Sequence, residues 1–338
     1  MPRYALLILP AFNRVYGESA VRLTRSELAV FGTATRSPIS AIEESVIGGV
    51  PYVTFEAELS EDDVALLSNL SSVYAVFGVE GPLLRPLEMR PLDRLSSDLL
   101  TIQKYAGKTN EHFTKLLLNV TLLASGLPFD GRLSVFDPMC GRGTTLNQAL
   151  MYGYDAYGMD VDAKDFEAYT VFLRRWLKDK RLKHTAEVVP VRRERALVGK
   201  RLNASFALSK EAQKAGDVQQ VAVVNADTLR AREFFKPRSF DLVVTDAPYG
   251  VQHGSRSGGG GLSRSPLDLI ARAVPGWAEL LRPGGAIGIS WNTYGGGRDE
   301  LGEILVKHGL RVREYPDFEH RVDQAIVRDI MVAVKPAR

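Results

Sequence analysis

Through the first eighty residues the apolar positions switch between two periods. Arg3 to Pro10 is a short apolar run of strand length, and from Ser19 to Phe31 the residues Val21, Leu23, Leu28 and Val30 recur at helical spacing. Ile39 to Ile47 and Tyr52 to Leu59 read as strands, joined by Gly48-Gly49-Val50-Pro51, residues that suit a hairpin turn. Ser60-Glu61-Asp62-Asp63 predicts a helix start, with a hydroxyl to cap free N–H groups and carboxylates against the positive end of the helix. That helix runs to about Leu70, and Ser72 to Val79 closes the set as a strand. The order β-α-β-β-α-β predicts a small ferredoxin-like α+β domain over residues 1–80.

Pro82, Pro86 and Pro91 open a linker placed at 81–110. A helix follows from about Glu111 to Ser125, with Phe113, Leu116, Leu117, Val120 and Leu123 on its buried side. From Arg132 onward strand-like and helix-like runs alternate. Strands are expected at 133–137, 155–160, 220–225, 240–245 and 286–291, and helices at 143–153, 162–178, 265–282 and 298–308. Such alternation builds a parallel sheet with helices on both faces. The last two apolar runs, 310–315 and 330–334, have no clear helix between them and predict a terminal antiparallel hairpin. The fold class is thus α/β, a Rossmann-like sheet of seven strands in a domain over 111–338.

Two stretches interrupt this alternation. Residues 179–220 form a basic, helix-leaning insertion far longer than an ordinary connection. Residues 254–265 are rich in Gly and Ser and carry Arg256 and Arg264. Charge sharpens the first of these. Residues 171–216 hold 13 Lys and Arg against 4 Asp and Glu, in a chain whose net charge is only +3, so the remainder is net negative. Segregation of this kind points to a polyanionic partner.

Composition then removes several classes. With 338 residues, 45% hydrophobic and 25% charged, the chain suits a globular protein of about two domains. No run approaches the roughly 20 apolar residues of a membrane helix. The apolar run near the N-terminus is too short for a signal peptide and lacks a cleavage pattern. Cys140 is the one cysteine and the five histidines lack paired ligand spacing, so neither a disulfide framework nor a zinc site is expected. These features predict a cytoplasmic protein without a metal or a membrane partner.

The candidate chemistry lies at predicted strand ends. Asp137-Pro138-Met139-Cys140-Gly141-Arg142-Gly143-Thr144 closes one strand and opens a helix. Its glycines let the backbone approach a ligand, and the helix start offers free N–H groups. A phosphate loop would share the glycines, but it would carry Gly-Lys-Ser/Thr. An acid at the head of this loop instead attracts a cation such as a sulfonium or an amino group. Asp160, followed by Val161, ends the second strand and suits the two hydroxyls of a ribose, with Asp162 the better helix cap. Asn225-Ala226-Asp227 ends the third, where Asp227 can accept from an adenine amine. Asp246-Ala247-Pro248-Tyr249-Gly250 ends the fourth. The Asp246 carboxylate and the Ala247 carbonyl can accept both hydrogens of an exocyclic amine, Pro248 stiffens the turn, and Tyr249 offers a face for a flipped base. Cys140 reads as a small packing residue, since nothing basic is placed to activate it.

Asp-Pro-Met-Cys-Gly-Arg-Gly-Thr at 137–144, followed by Asp-Ala-Pro-Tyr at 246–249, resembles motifs I and IV of the class I amino-methyltransferases. The pattern is most similar to the THUMP-associated tRNA guanine-N2 methyltransferases, which also carry an N-terminal ferredoxin-like domain. Gly107-Lys108-Thr109-Asn110 with Phe113 and Leu116-Leu117-Leu118-Asn119 adds to this likeness. The resemblance implies S-adenosyl-L-methionine as cofactor, held by Asp137, Pro138, Cys140, Gly141, Gly143, Thr144, Asp160, Val161, Ala226 and Asp227. It implies transfer of a methyl group to the N2 of a guanosine in tRNA at Asp246, Ala247, Pro248 and Tyr249. Candidate substrate contacts are Lys108, Thr109, Asn110, Arg192, Arg193, Arg195, Arg256 and Trp291, whereas Arg321 and Arg328 read as surface charges.

Two departures matter. Ala247 replaces the commoner proline, which the backbone carbonyl's role tolerates. Residues 81–100 are also too few for the THUMP module, so RNA capture falls to the basic insertion, the front domain or a partner subunit. Guanine and adenine both present an amine to Asp246, which leaves adenine N6 in DNA or RNA as the alternative target. A nucleic-acid-binding protein with an inactive cofactor site is the reading from another class.

Overall fold

The computed structural model describes residues 1–10, 14–193, 196–248, 266–315 and 318–337. In the N-terminal region β1 (Arg3–Ile8), α1 (Arg14–Phe31), β2 (Ser40–Ile47), β3 (Val50–Glu56), α2 (Glu61–Leu67) and β4 (Val73–Glu80) follow the predicted order. Gly48 and Gly49 turn the β2–β3 hairpin at positive φ, +60° and +81°, a backbone that side chains disfavour. Ser60 caps α2 by accepting from the Asp63 N–H at 3.2 Å, and Asp63 returns the bond to the Ser60 N–H at 2.9 Å. The sheet runs β2-β3-β1-β4-β5 with every pair antiparallel, so the ferredoxin-like expectation is met.

The added strand β5 (Leu83–Pro86) lies where the prolines predict linker. It is an edge strand, and Pro86 at its end removes a donor that an interior strand would need. α3 (Asp98–Thr101) and α4 (Glu111–Ser125) follow. Asn110 caps α4, its side-chain oxygen accepting from the His112 and Phe113 N–H groups, and Gly126 ends the helix at φ +71°.

The C-terminal region comprises β6 (Ser134–Asp137), α5 (Thr144–Met151), β7 (Asp155–Asp160), α6 (Ala163–Asp179), β8 (Lys183–Arg193), β9 (Ala196–Ala207), α7 (Lys210–Lys214), β10 (Gln219–Asn225), α8 (Ala231–Phe234), β11 (Phe240–Asp246), α9 (Pro266–Leu280), β12 (Leu281–Asn292), α10 (Arg298–Lys307), β13 (Arg311–Val312), β14 (His320–Arg321) and β15 (Val327–Val334). The sheet order is β13-β15-β12-β11-β6-β7-β10-β9-β8, with β14 on β15. From β10 to β12 the strands are parallel, and β15 inserts antiparallel between β12 and β13. These seven strands are the expected set. The whole sheet has ten, because β8, β9 and β14 extend it.

The basic insertion is therefore mainly an edge hairpin of β8 and β9, not helix. Thr185, Val188, Val189 and Val191 favour extended backbone, and Pro190 removes a donor that a helix would need. Lys200 on β9 pairs with Asn225 at the carboxyl end of β10. Ala196 lies four residues beyond Lys200, so the paired ends of β8 and β9 project about 13 Å past the carboxyl edge of the sheet.

Side chains alternate between two cores across the large sheet. Val135, Leu242 and Val244 face one, and Phe136 and Val243 face the other with α9 and α10. The first core runs without a break through Phe113 and Leu117 of α4 into Leu6, Val53 and Phe55 of the N-terminal sheet. Within it Glu27 of α1 is wholly buried. Its carboxylate accepts from the Ser71 hydroxyl at 2.6 Å and the Asn119 amide at 2.8 Å, and burial raises its pKa. Buried polar contacts of this kind lock the N-terminal sheet to α4 in one register. Among the described residues, no helix is long and apolar enough to cross a membrane.

Candidate functional site

Parallel strands deliver their last residues to one edge of the sheet, and four acids stand there. Asp137 ends β6, Asp160 ends β7, Asp227 follows β10, and Asp246 ends β11. The Asp137 carboxylate accepts from the Thr245 hydroxyl at 2.8 Å and the Met139 N–H at 3.1 Å. Burial dominates over these bonds and pushes its pKa up to about 7.

Between Asp137 and α5 the chain turns through Gly141 at φ +49° and Gly143 at φ +80°. A Cβ on Gly143 would also lie 2.3 Å from the ring of the buried Tyr169, so this position excludes a side chain on two counts. Gly143 leaves the start of α5 without a side-chain cap. Pro138 and Thr144 flank this turn, and the Thr144 hydroxyl lies 3.4 Å from that of Tyr105. The Cys140 side chain is buried beside Gly158, and burial pushes its thiol well up, which agrees with packing rather than nucleophilic chemistry.

Asp160 ties the glycine turn to β7. One oxygen accepts from the Gly141 N–H at 2.7 Å and the other from the Asp162 N–H at 2.8 Å. Burial raises its pKa as well. Asp162 caps α6 through the Lys164 N–H. Val161 is a large apolar side chain left 59% exposed beside this acid. The Ala226 N–H donates to the Asp160 carbonyl, and the Asp227 carboxylate accepts from the Leu229 N–H.

Asp246 is held from both sides. The Thr109 hydroxyl donates to one oxygen at 2.6 Å and the Ser290 hydroxyl to the other at 2.7 Å. An Arg328 terminal nitrogen lies 3.5 Å from the first oxygen. The Ala247 N–H donates to the Ser290 carbonyl at 2.8 Å, which fixes the following turn and Pro248. Tyr249, Arg195 and Arg256 lie outside the described residues.

Of the predicted substrate contacts, Thr109 reaches Asp246. Lys108 donates to the Leu100 carbonyl at 2.6 Å, and the Asn110 side-chain oxygen is engaged in the helix cap. Arg192 and Arg193 lie near the tip of the hairpin, on β8, five strands from β11 and so about 24 Å away. Trp291 is a correction: it is fully buried, continues the inward row of Ile287 and Ile289 on β12, and donates to the Gly296 carbonyl. Arg328 is a second correction. It is 4% exposed, not a surface charge, and its guanidinium lies 4.4 Å from the Phe113 ring centre. Ser290 and Thr245, which hold Asp246 and Asp137, carry no motif and were not singled out in the sequence.

The residues present fit an adenosine cofactor with a cationic methionine end. Gly141 borders open space at a positive φ, acids line one edge, and each Asp160 oxygen retains a lone pair for a ribose hydroxyl. Among the described residues, no cluster of three or more His, Cys, Asp or Glu could hold a metal ion.

Residues 119–283 match the family model described as UPF0020, RMKL-like, methyltransferase domain. No curated protein matches the chain. Solved structures similar to it include TrmN from Thermus thermophilus, with 16% identity and a TM-score of 0.41 over 87% of this chain and 59% of that one. Magnesium protoporphyrin IX methyltransferase from Synechocystis PCC 6803 has 15% identity and a TM-score of 0.39, over 68% of this chain and 86% of that one. The 1,6-didemethyltoxoflavin-N1-methyltransferase of Burkholderia thailandensis has 16% identity and a TM-score of 0.38, over 67% and 80%. The chain thus spans 59% of the length of the Thermus protein.

Proposed function

We propose that the class I S-adenosylmethionine-dependent methyltransferase domain carried by this chain methylates the exocyclic N2 of a guanosine in tRNA. The observation that carries this reading is the Asp246 carboxylate, fixed by Thr109 and Ser290 one strand from the glycine turn. When bound, S-adenosylmethionine supplies an electrophilic methyl on a sulfonium. Asp137 and the backbone of Pro138, Cys140, Gly141 and Gly143, with Thr144, would hold its methionine part. Asp160 would take the ribose hydroxyls, Val161 and Ala226 would flank the adenine, and Asp227 would accept from its amine.

Asp246 and the Ala247 carbonyl accept the two hydrogens of the target amine. This aims the nitrogen lone pair and draws density onto it, so alignment in a water-poor site accounts for much of the rate. Pro248 keeps the Ala247 carbonyl in place, and Tyr249 is assigned to stack on the base. Lys108, Asn110, Arg192, Arg193, Arg195 and Arg256 are assigned to the RNA backbone. The projecting hairpin supports a role in RNA capture beyond the cofactor's adenine side, and a partner subunit could extend that grip. In this reading residues 111–338 are the catalytic domain, residues 1–80 brace α4, and the reaction is cytoplasmic.

The test is transfer from labelled S-adenosylmethionine to unmodified tRNA and to DNA, followed by nucleoside mass spectrometry. N2-methylguanosine from tRNA is the expected product. N6-methyladenine from either polymer would overturn the target, and no labelled nucleoside from either would overturn the nucleic-acid substrate.

A further inference from the structure

Beside Asp246 lies a cavity of about 230 Å³ walled by Lys108, Thr109, Glu111, His320, Arg321 and Arg328. Three of these side chains are cations, and two of them already face a carboxylate. Lys108 lies 3.5 Å from Glu111, and Arg328 lies 3.5 Å from Asp246. Arg321 is exposed, and its Nε donates to the Asp323 carbonyl at 3.0 Å. Among the described residues no carboxylate is recorded in an ion pair with it. His320 adds no charge near neutral pH, because burial pushes its pKa down to about 4. Among the described residues the cavity wall therefore carries one positive charge with no carboxylate paired to it, the complement of a phosphodiester.

The wall is also fixed in place. β14 carries His320 and Arg321 and pairs with β15 through His320 and Arg328. Phe318, just before it, is fully buried. Arg22 of α1 donates to the Glu319 carbonyl, so the N-terminal region braces this wall as well as α4. The cavity is smaller than the roughly 300–1,000 Å³ of a site that encloses a drug-sized molecule. Its polar walls suit a phosphate and part of a sugar better than a base, which needs an apolar or aromatic face.

We propose that this cavity seats the phosphodiester next to the target nucleotide, with Arg321 as its charge partner. The proposal rests on the nucleic-acid reading above and adds the subsite that orients the strand at Asp246. It also gives the N-terminal region a task, that of holding the cavity wall through Arg22 of α1.

The experiment uses the full chain saturated with S-adenosylmethionine, so that the glycine turn is filled. Inorganic pyrophosphate is titrated by calorimetry at low salt into the wild type, Arg321→Glu and Arg321→Lys. The side chain is exposed, and equal thermal midpoints confirm that the variants fold. The wild type and Arg321→Lys should bind, with Arg321→Glu at least about tenfold weaker. In tRNA methylation Arg321→Glu should raise KM about tenfold, with S-adenosylmethionine affinity unchanged. Its log–log salt slope for tRNA binding should become shallower by about one. Equal pyrophosphate binding by the wild type and Arg321→Glu, or none by either, would overturn the proposal. If pyrophosphate binds through Arg321 but no tRNA is methylated, the anion subsite stands and the proposed substrate falls. If tRNA is methylated with the same KM by Arg321→Glu, the substrate stands and the subsite falls.

Discussion

Asp246→Ala should lower kcat/KM for methyl transfer by at least about 100-fold while S-adenosylmethionine still binds, the scale of losing a preorganised polar contact at the reacting atom. The carboxylate is held from both sides, by Thr109 at 2.6 Å and Ser290 at 2.7 Å. Among the described residues at the end of β11, Asp246 is the one that offers a carboxylate in that place. The same substitution removes the carboxylate facing the buried Arg328, and breaking a buried pair from one side costs about 3–5 kcal/mol. The folded fraction must therefore be measured beside the rate. Asp246→Asn, which keeps the shape and one acceptor, should fold better and still lose most of the activity. Retained activity in Asp246→Ala at full folding would remove the residue from the reaction.

The second large effect is on pH. Asp137 is buried and its pKa is pushed up to about 7, against an ordinary value near 3.8. A cationic methionine end selects the ionised carboxylate. S-adenosylmethionine affinity should then fall as pH drops below about 7, by up to tenfold per unit, or about 50-fold between pH 7 and pH 5. The sign for the unliganded fold is opposite. A carboxyl group that holds its proton more tightly when folded stabilises the fold below about pH 3.8, and that contribution is lost as pH rises through about 7. Asp137→Asn should bind the cofactor at least about tenfold more weakly, with a flat pH profile, and titration calorimetry from pH 5 to pH 8 reads both. A flat profile in the wild type would contradict this role for Asp137.

Much of this site was legible in the sequence because its signals are local. Asp137 to Thr144 sits at a strand-to-helix switch, and its glycines occupy positions that a turn of this shape demands. The ferredoxin-like order was legible for the same reason, since each strand and helix shows its own period and Ser60 announces its helix. What was not legible depends on partners far along the chain. Arg328 looks like any strand charge until Asp246 and Phe113 are brought beside it. Ser290 and Thr245 are ordinary strand residues until the parallel register sets them against Asp246 and Asp137. Trp291 was misread because a strand end offers two faces and the inward one is set by the row it continues. The hairpin β8–β9 was misread because its charged positions mask the β-branched alternation between them. Segment 108–110 was singled out, but only the fold shows that Thr109 reaches Asp246 while Asn110 caps α4.

The central claim is that the amine presented to Asp246 is the N2 of a guanine. The most direct measurement uses two transcripts of one tRNA, made with guanosine or with inosine, which lacks that amine and little else. Each is incubated with labelled S-adenosylmethionine and the full chain, and the label in RNA is counted. The account predicts label in the guanosine transcript and none in the inosine transcript. Equal label in both would contradict it, because the methyl would then be going to another atom.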